Sequence, residues 1–344
     1  MDIQKTASQI GEFGLIERIQ KILGKAQNNK IILGIGDDTA VIDISGGKVQ
    51  LLTCDIQIEG QHFQRDFLSP YQLGRRAMAV NLSDIAAMGG TPTFALVSLG
   101  VPPDFPVSDF EDLFRGFRDQ LNEFGATVIG GNLARSDSGL IIDITMLGES
   151  KRDIFLTRSG ASPGDRIFVS NFLGMAGAGV AILRHFGDKF PQKYEKFVNA
   201  YRQPSPRIHL GQRLAESGLV TAMMDISDGL AGDLNHICEQ SHCGAVVLQE
   251  KLPFDPDLAE LKNITKKTSE EMALFGGEDY ELLLTVNRDA DIEKLGLIAK
   301  ETGVRMHEIG YLTTEEKGLV LQNSAGNTRP LAAKGWDHFS LNET

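Results

Sequence analysis

The 344-residue sequence has little cysteine, with Cys54, Cys238 and Cys243 the only three. They are too few and too poorly spaced for a zinc site or a disulfide framework, which fits a reducing cytosol. Long apolar runs are also missing. None approaches the roughly 20 residues a membrane helix requires, and the opening MDIQKTASQIGEF has no apolar signal core, so a soluble, cytoplasmic protein without a membrane partner is expected. Positive charge is in deficit: 34 basic against 46 acidic residues leave a formal charge of -12. Without surplus Lys and Arg to neutralise phosphates, a nucleic acid is a poor candidate partner, whereas cations are welcome. The GxxxxGK[ST] pattern is absent, which excludes a P-loop, GMAGAG lacks the spacing of a dinucleotide fingerprint, and there is no HRD or DFG set of a protein kinase.

What is present is an ordinary globular composition, 42% hydrophobic, long enough for two domains. Periodicity predicts an amphipathic helix over 12–23 with Ile16, Ile19 and Leu23 on one stripe, and strands at 30–35, 40–44 and 49–55. A long alanine-rich helix follows Pro70 to about Met88, then a strand FALVSLGV. The next helix keeps Phe110, Leu113, Phe114, Phe117, Leu121 and Phe124 in helical period, a core-packing pattern. Strands near ATVIGG and at LIIDITMLGE close the first half. The polar, Gly/Ser/Pro-rich RSGASPGDR puts a domain boundary near 150–163, dividing the chain into 1–150 and 151–344. In the second half, strands are expected at RIFVS, TAMMD, AVVLQ and YELLLTV, with helices over 176–185, 208–217, 229–241 and 290–303. Both halves read as α+β, with hairpins more evident than crossover units.

Acidic residues interrupt these apolar segments. GIGDDTAV sets Asp37 and Asp38 side by side where the chain turns between strands. Asp84 shares a helical face with Ala77, Val80, Asn81 and Met88 and has no Lys or Arg at those offsets, Arg76 lying two turns upstream. A buried lone carboxylate costs several kcal/mol unless it is paired, hydrogen-bonded or metal-bound. A helix-ending or structural hydrogen bond would also account for Asp84. Asp55 and Asp225 end strands, where loops converge on a cleft, or act there as simple caps. In MDISDGL, Ser227 or Asp228 can cap the following helix, whose first-turn amides suit a phosphate, but one cap does not explain Asp225 as well. Hard oxygen ligands of this type suit magnesium, which takes one or two carboxylates per ion, so this many acids suggest several ions. Candidate phosphate donors are the glycine turns GIGDD and VIGGN, the loop NFLGMAGAG, and Arg158.

The ordered set GEFGLI, GIGDDTAV, TCDIQIEGQHF, AVNLSDIAAMGGTP, VIGGN, LTRSGASPGD, MDISDGLAGDL, GGEDYEL and KGWDHF, running from 11 to 339, resembles the thiamine-monophosphate kinase family, within the aminoimidazole ribonucleotide synthetase superfamily. The resemblance implies transfer of the ATP γ-phosphoryl group to thiamine monophosphate, dependent on several Mg2+ ions. It also implies a two-domain α+β fold in which the N-terminal domain forms a β-barrel with that of a second subunit in a homodimer, and the C-terminal domain completes the nucleotide and substrate site. Carried over by motif, the metal ligands fall on Asp37, Thr53, Asp55, Asp84, Asp225 and Asp228, with Asp38 orienting Asp37 or serving a neighbouring ion. ATP contacts fall on Arg158, Ser227 and Gly131, and thiamine contacts on His62, Glu278 and Trp336. Trp336 offers a ring face for stacking, and Glu278 an acceptor or counter-charge. Three positions depart from the family. Asn132 stands where a metal-binding Asp is usual and is expected to ligate through its amide oxygen, Cys54 replaces a Thr, and LGMAGAG replaces LGDSAAG. The resemblance also covers sibling ATP-dependent enzymes, selenophosphate synthetase and the hydrogenase-maturation dehydratase, but those carry a reactive Cys near the N- or C-terminus, which this chain lacks. A non-catalytic divalent-cation module would explain the acids but not Trp336 and Glu278.

Overall fold

The computed structural model describes residues 6–24 and 28–332. Helix α1 (Ala7–Leu23) precedes strands β1 (Ile31–Leu33), β2 (Ala40–Ser45) and β3 (Lys48–Ile58). Then come α2 (Pro70–Ala87), β4 (Thr91–Val101), α3 (Val107–Asn122), β5 (Thr127–Arg135) and β6 (Ile141–Lys151). These strands form one sheet in the order β1-β2-β3-β6-β4-β5. Antiparallel pairing dominates it, with hairpins at β1–β2 and β2–β3, but β4 and β5 are parallel and joined by the α3 crossover.

After residues 152–165 the chain enters β7 (Arg166–Ser170), α4 (Met175–Phe186), α5 (Glu195–Arg202), α6 (Ile208–Ser217), β8 (Val220–Ile226), α7 (Leu230–Ser241) and β9 (Cys243–Leu248). It continues through α8 (Lys262–Thr265), α9 (Ser269–Phe275), β10 (Glu281–Val286), α10 (Ile292–Thr302), β11 (Met306–Thr314), β12 (Leu319–Gln322) and β13 (Thr328–Pro330). The second sheet runs β13-β12-β9-β11-β7-β10-β8 and is mixed, since β12 pairs parallel with β9. No strand is expected from periodicity beyond 303, yet β11, β12 and β13 follow α10, and β11 sits at the centre of this sheet. Its sequence, MHEIGYLTT, sets polar residues and a glycine where a buried strand normally reads as apolar. Gly310 is required there, because a Cβ would meet the Val246 carbonyl oxygen at 2.0 Å.

The two sheets are covered differently. In the second, alternate residues feed cores on both faces: Phe168, Met223 and Leu284 on one, Ile167, Val169, Met224 and Leu283 on the other. Double-sided burial is why ELLLTV is nearly all apolar. Among the described residues, the first sheet is covered on one face only. Ile142, Ile144 and Met146 of β6 point inward with α2 and α3, where Leu113, Phe117 and Leu121 are fully buried, the pattern expected of the α3 phenylalanine-rich repeat. The opposite face leaves Ile56, Phe94, Leu96 and Ile129 exposed. The α1 stripe is likewise not buried within the protomer, as Ile19 and Leu23 are exposed. Gly11, at φ 73° and ψ 171°, breaks the first turn of α1 from the rest, so regular helix begins near the expected residue 12.

Helix α2 joins the halves. Ser69 caps it by accepting a hydrogen bond from the Gln72 amide, with Gln72 answering in a capping box and Pro70 at its start. It then packs on β3, β4 and β6 on one side and on β8, α5 and α6 on the other.

Candidate active site

Within β3, side chains alternate, so Thr53, Asp55 and Gln57 point to the α2 side while Cys54 and Ile56 point to the bare face. Asp84, one turn before the end of α2, meets them: Thr53 Oγ1 donates to Asp84 Oδ2 at 2.5 Å, and the Asp55 and Asp84 carboxyls are close enough to shift each other's acidity. From the second sheet, Asp225 near the end of β8 accepts from Ser83 Oγ at 2.5 Å. Consecutive residues of one helix thus hold acids from both halves. The turn before β2 supplies Asp37 and Asp38. Oxygens of Asp38, Asp84 and Asp225 all lie within 4.8 Å of one another.

The adjacent acids have different jobs. Both Asp37 oxygens are used on the backbone, Oδ1 accepting from the Asp38 amide at 3.0 Å and Oδ2 from the Arg158 amide at 3.1 Å. Asp38 takes the Arg158 guanidinium on Oδ1, while its Oδ2 is buried with no hydrogen-bond partner. Asp55 Oδ2 is buried and unpartnered as well. Burial, reinforced by Asp38, pushes the Asp37 carboxyl up to about 7. Burial does the same to Asp225, to about 7, and to Asp55, to about 6. Asp84 is driven well above the usual carboxylate range by burial and then by Asp55 and Asp225. A set of crowded, buried carboxylates with oxygens that lack donors among the described residues is the chemistry of a divalent-cation site; the residues present fit magnesium.

The cluster lies in a cleft of about 3020 Å³ lined from both halves, including Thr53, Arg158, Ser227, Asp228, His62 and Glu278. A typical small-ligand pocket is about 300–1,000 Å³, so this cleft has room for two substrates. His62 accepts the Ile58 amide on Nδ1 at 3.0 Å. Glu278 pairs with the Arg76 guanidinium, and its amide donates to the Ser227 carbonyl at 2.6 Å. Trp336 lies outside the described residues.

Two expectations meet a different geometry. Asn132 and Gly131 lie on β5, exposed and outside the cleft lining. The row Asp55–Ile144–Val97–Gly131 runs across β3, β6, β4 and β5, which separates them by roughly 14 Å at 4.8 Å per strand. Within one protomer Asn132 therefore stands apart from the acids. Gly131 is needed for close strand approach, since a Cβ would meet the Val97 carbonyl oxygen at 1.8 Å. The second is the NFLGMAGAG loop, read as a phosphate cradle. Its amides are already taken: Asp279 accepts from Gly174 N at 2.6 Å and Ala176 N at 3.0 Å. An internal carboxylate supplied by GGEDYEL fills the α4 N-terminus.

Sequence reasoning also passed over Asp233. Fully buried in the first turn of α7, it accepts from the Asp228 and Gly229 amides at 3.2 and 3.1 Å and so fixes the turn that carries Asp225, Ser227 and Asp228. An acid one turn into a helix that follows a glycine was the available signal.

Comparison with known proteins follows this geometry. Residues 36–150 match the AIR synthase related protein N-terminal domain, and residues 162–322 match the corresponding C-terminal domain. The chain belongs to the AIR synthase related family, whose two α+β domains with mixed sheets are those described above. A thiamine-monophosphate kinase of Bacillus subtilis is 33% identical over 332 residues, covering 95% of this chain and 99% of the relative. One of Aquifex aeolicus is 35% identical over 331 residues, covering 96% and 99%. The solved structure of AaThiL complexed with AMPPCP and TMP superposes with a TM-score of 0.84 at 34% identity, covering 98% of this chain and 99% of that one. Within the family, this chain stands with the thiamine-monophosphate kinases.

Proposed function

We propose that the protein transfers the γ-phosphoryl group of ATP to thiamine monophosphate, giving thiamine diphosphate and ADP. The observation that carries this reading is the gathering of Asp38, Asp84 and Asp225 from three distant segments, with unpartnered buried oxygens on Asp38 and Asp55, in a cleft sized for two substrates. The full-length relatives bear that name, and one solved relative carries AMPPCP and TMP.

In this reading Asp38, Asp55, Asp84 and Asp225, with Thr53, Asp37 and Asp228 around them, hold several Mg2+ ions. Bound there, magnesium supplies charge neutralisation for the ATP phosphates and for the charge that develops on the transferring group. The protein's own work is positioning. Asp37 holds the Gly36–Asp38 turn and the Arg158 backbone together; Arg158 and Ser227 face the nucleotide; His62, Glu278 and Trp336 address the thiamine rings. The attacking group is a phosphate oxygen, with a second pKa near 6, so no strong general base is needed.

The enzyme acts as a homodimer in this proposal, closing a barrel over the bare face of the first sheet. Support comes from Ile129 (57% exposed), Ile56 (47%) and Phe94 (44%) on the bare face, an exposed apolar grouping of the kind that marks an interface. Such an interface is also the route by which Asn132 and Gly131 of one subunit reach the acids of the other. A reducing cytoplasmic setting suits the free thiols Cys54, Cys238 and Cys243.

The test is to incubate the protein with ATP, magnesium and thiamine monophosphate and follow thiamine diphosphate and ADP. Equal amounts of both are expected, with none from Asp55→Asn or Asp84→Asn. Calcium binding without ADP release would instead support a non-catalytic cation module. Leu96→Asp is expected to elute as a monomer in gel filtration; an unchanged dimer would rule out a barrel closed over this face.

A further inference from the structure

We infer that Arg76 is a positioning residue for Glu278 and through it sets the affinity for thiamine monophosphate; this rests on the reading of Glu278 as a thiamine contact. Arg76 is 0% exposed, one of the largest fully buried side chains of the protein. A guanidinium in the interior is sustainable only where its charge is compensated; here both terminal nitrogens are partnered, while Nε is buried without a hydrogen-bond partner among the described residues. One terminal nitrogen donates to the Tyr201 carbonyl at 2.8 Å, and the other pairs with Glu278 Oε1. The guanidinium carbon sits 4.4 Å from the Tyr201 ring centroid and 5.9 Å from that of Tyr280. The planar fork is fixed on both sides, so the carboxylate it grips is fixed too.

Glu278 is placed to use that grip. Its side chain is 31% exposed and lines the cleft. Arg76 engages Oε1, and among the described residues no hydrogen bond is made to Oε2. The local backbone is strained: Glu278 has φ 69° and Tyr280 φ 51°, both left-handed and both non-glycine. The strain is held by the Glu278 amide on Ser227 O at 2.6 Å and the Tyr280 amide on Ile226 O at 2.9 Å. Strain over-determined in this way is characteristic of ligand clamps.

Arg76 and Asp84 share α2, eight residues apart. At 1.5 Å per residue the helix sets them roughly 12 Å apart along its axis, of the same order as an extended two-ring phosphate ester. Helix α2 therefore acts as a ruler between the cation cluster and the carboxylate that reads the far end of the substrate. A plain interdomain ion pair would share the contacts of Arg76 but not this selectivity.

The experiment is two-substrate steady-state kinetics with thermal unfolding on wild type, Arg76→Lys, Glu278→Gln and the double variant Arg76→Lys/Glu278→Gln. Arg76→Lys keeps the buried charge and is the variant that folds; it is expected to raise KM for thiamine monophosphate about tenfold, the loss of one charge-assisted hydrogen bond, with kcat and KM for ATP within about twofold of wild type. Glu278→Gln should raise the same KM, and the double variant should be no worse than Glu278→Gln alone. Equal changes in both KM values, a fall in kcat with an unchanged KM, or additive effects in the double variant would overturn the inference. The failures are distinguishable: a wild type that makes no thiamine diphosphate sinks the proposed function and this inference with it. A normal KM in Glu278→Gln removes the role of Glu278 and hence of Arg76, and a raised KM in Glu278→Gln beside a normal one in Arg76→Lys removes Arg76 alone.

Discussion

Two groups of buried acid lie close to β10 and could hardly be treated more differently. Glu281, at the start of the strand, is fully provided for: Arg207 grips both its oxygens at 2.8 and 2.5 Å, Asn171 donates at 3.1 Å, and Ser170 donates as well. Across the neighbouring strand, Asp225 belongs to a cluster with Asp38, Asp55 and Asp84 in which Arg158 is the cation in contact and two buried oxygens have no donor. Burial alone does not separate structural acids from functional ones. The separation lies in whether folding satisfies the charge. Where it does, the acid supports the sheet; where it does not, the missing partner must arrive from solution.

The largest effect expected from this contrast is on turnover. Asp84→Asn should lower thiamine diphosphate formation by on the order of 10²–10³-fold or more, while raising the melting temperature of the metal-free protein by relieving repulsion; a lowered melting temperature would mark Asp84 as structural. Glu281→Gln should do the reverse. Breaking a satisfied buried pair costs about 3 kcal/mol, measurable as a lower denaturant midpoint, with the magnesium dependence of turnover unchanged.

Acidity sharpens the comparison further. Asp37, Asp55 and Asp225 have folded-state values raised to about 7, 6 and 7 from 3.8. The folded state therefore binds more protons than the unfolded chain between about pH 4 and 7, so the stability of the metal-free protein is full below about 4 and falls as pH rises through 7. Magnesium competes with those protons. Its stabilising shift in melting temperature should be larger at pH 8 than at pH 5.5, and a pH-independent shift would mean the ion sits elsewhere. The smallest effect is at Asn132, which stands apart from the acids within one protomer and would join them only across the proposed dimer interface: Asn132→Asp should tighten magnesium activation by about fivefold, or roughly 1 kcal/mol, without abolishing turnover. Unchanged magnesium dependence would remove Asn132 from the ligand set.

Much of this site could be read in one dimension. Asp84 was conspicuous because a charge on the Ala77–Val80–Met88 stripe has no local partner, and Asp55 and Asp225 because they end apolar strands. Asp55 departs from that expectation: β3 runs on to Ile58, so Asp55 lies inside the strand and reaches the cleft by alternation, not as a strand-end residue. What stayed hidden depends on contacts far apart in the chain. Arg76 and Glu278 are 202 positions apart, so the helix showed an arginine without an acid and the loop an acid without an arginine. Asp37 and Asp38 cannot be ranked by spacing, since their roles follow from which one turns toward Arg158 amide and which toward the α2 acids. Asp279 looked like part of a substrate motif and the glycine loop like a phosphate cradle; the fold joins one to the other. The exposed apolar face of the first sheet reads in sequence as a core face, because alternation marks an apolar side without saying what covers it.

Helix α2 carries Arg76, Ser83 and Asp84 while its backbone is pressed from the second half of the molecule, where a Cβ at Gly211 would meet the Ala86 carbonyl oxygen at 2.1 Å. An axle seated that tightly has almost no play. Attempts to retune which phosphorylated heterocycle is accepted should therefore target the cleft-lining segment 264–278 and leave α2 untouched, because shifting the axle would misalign both ends of the reaction at once.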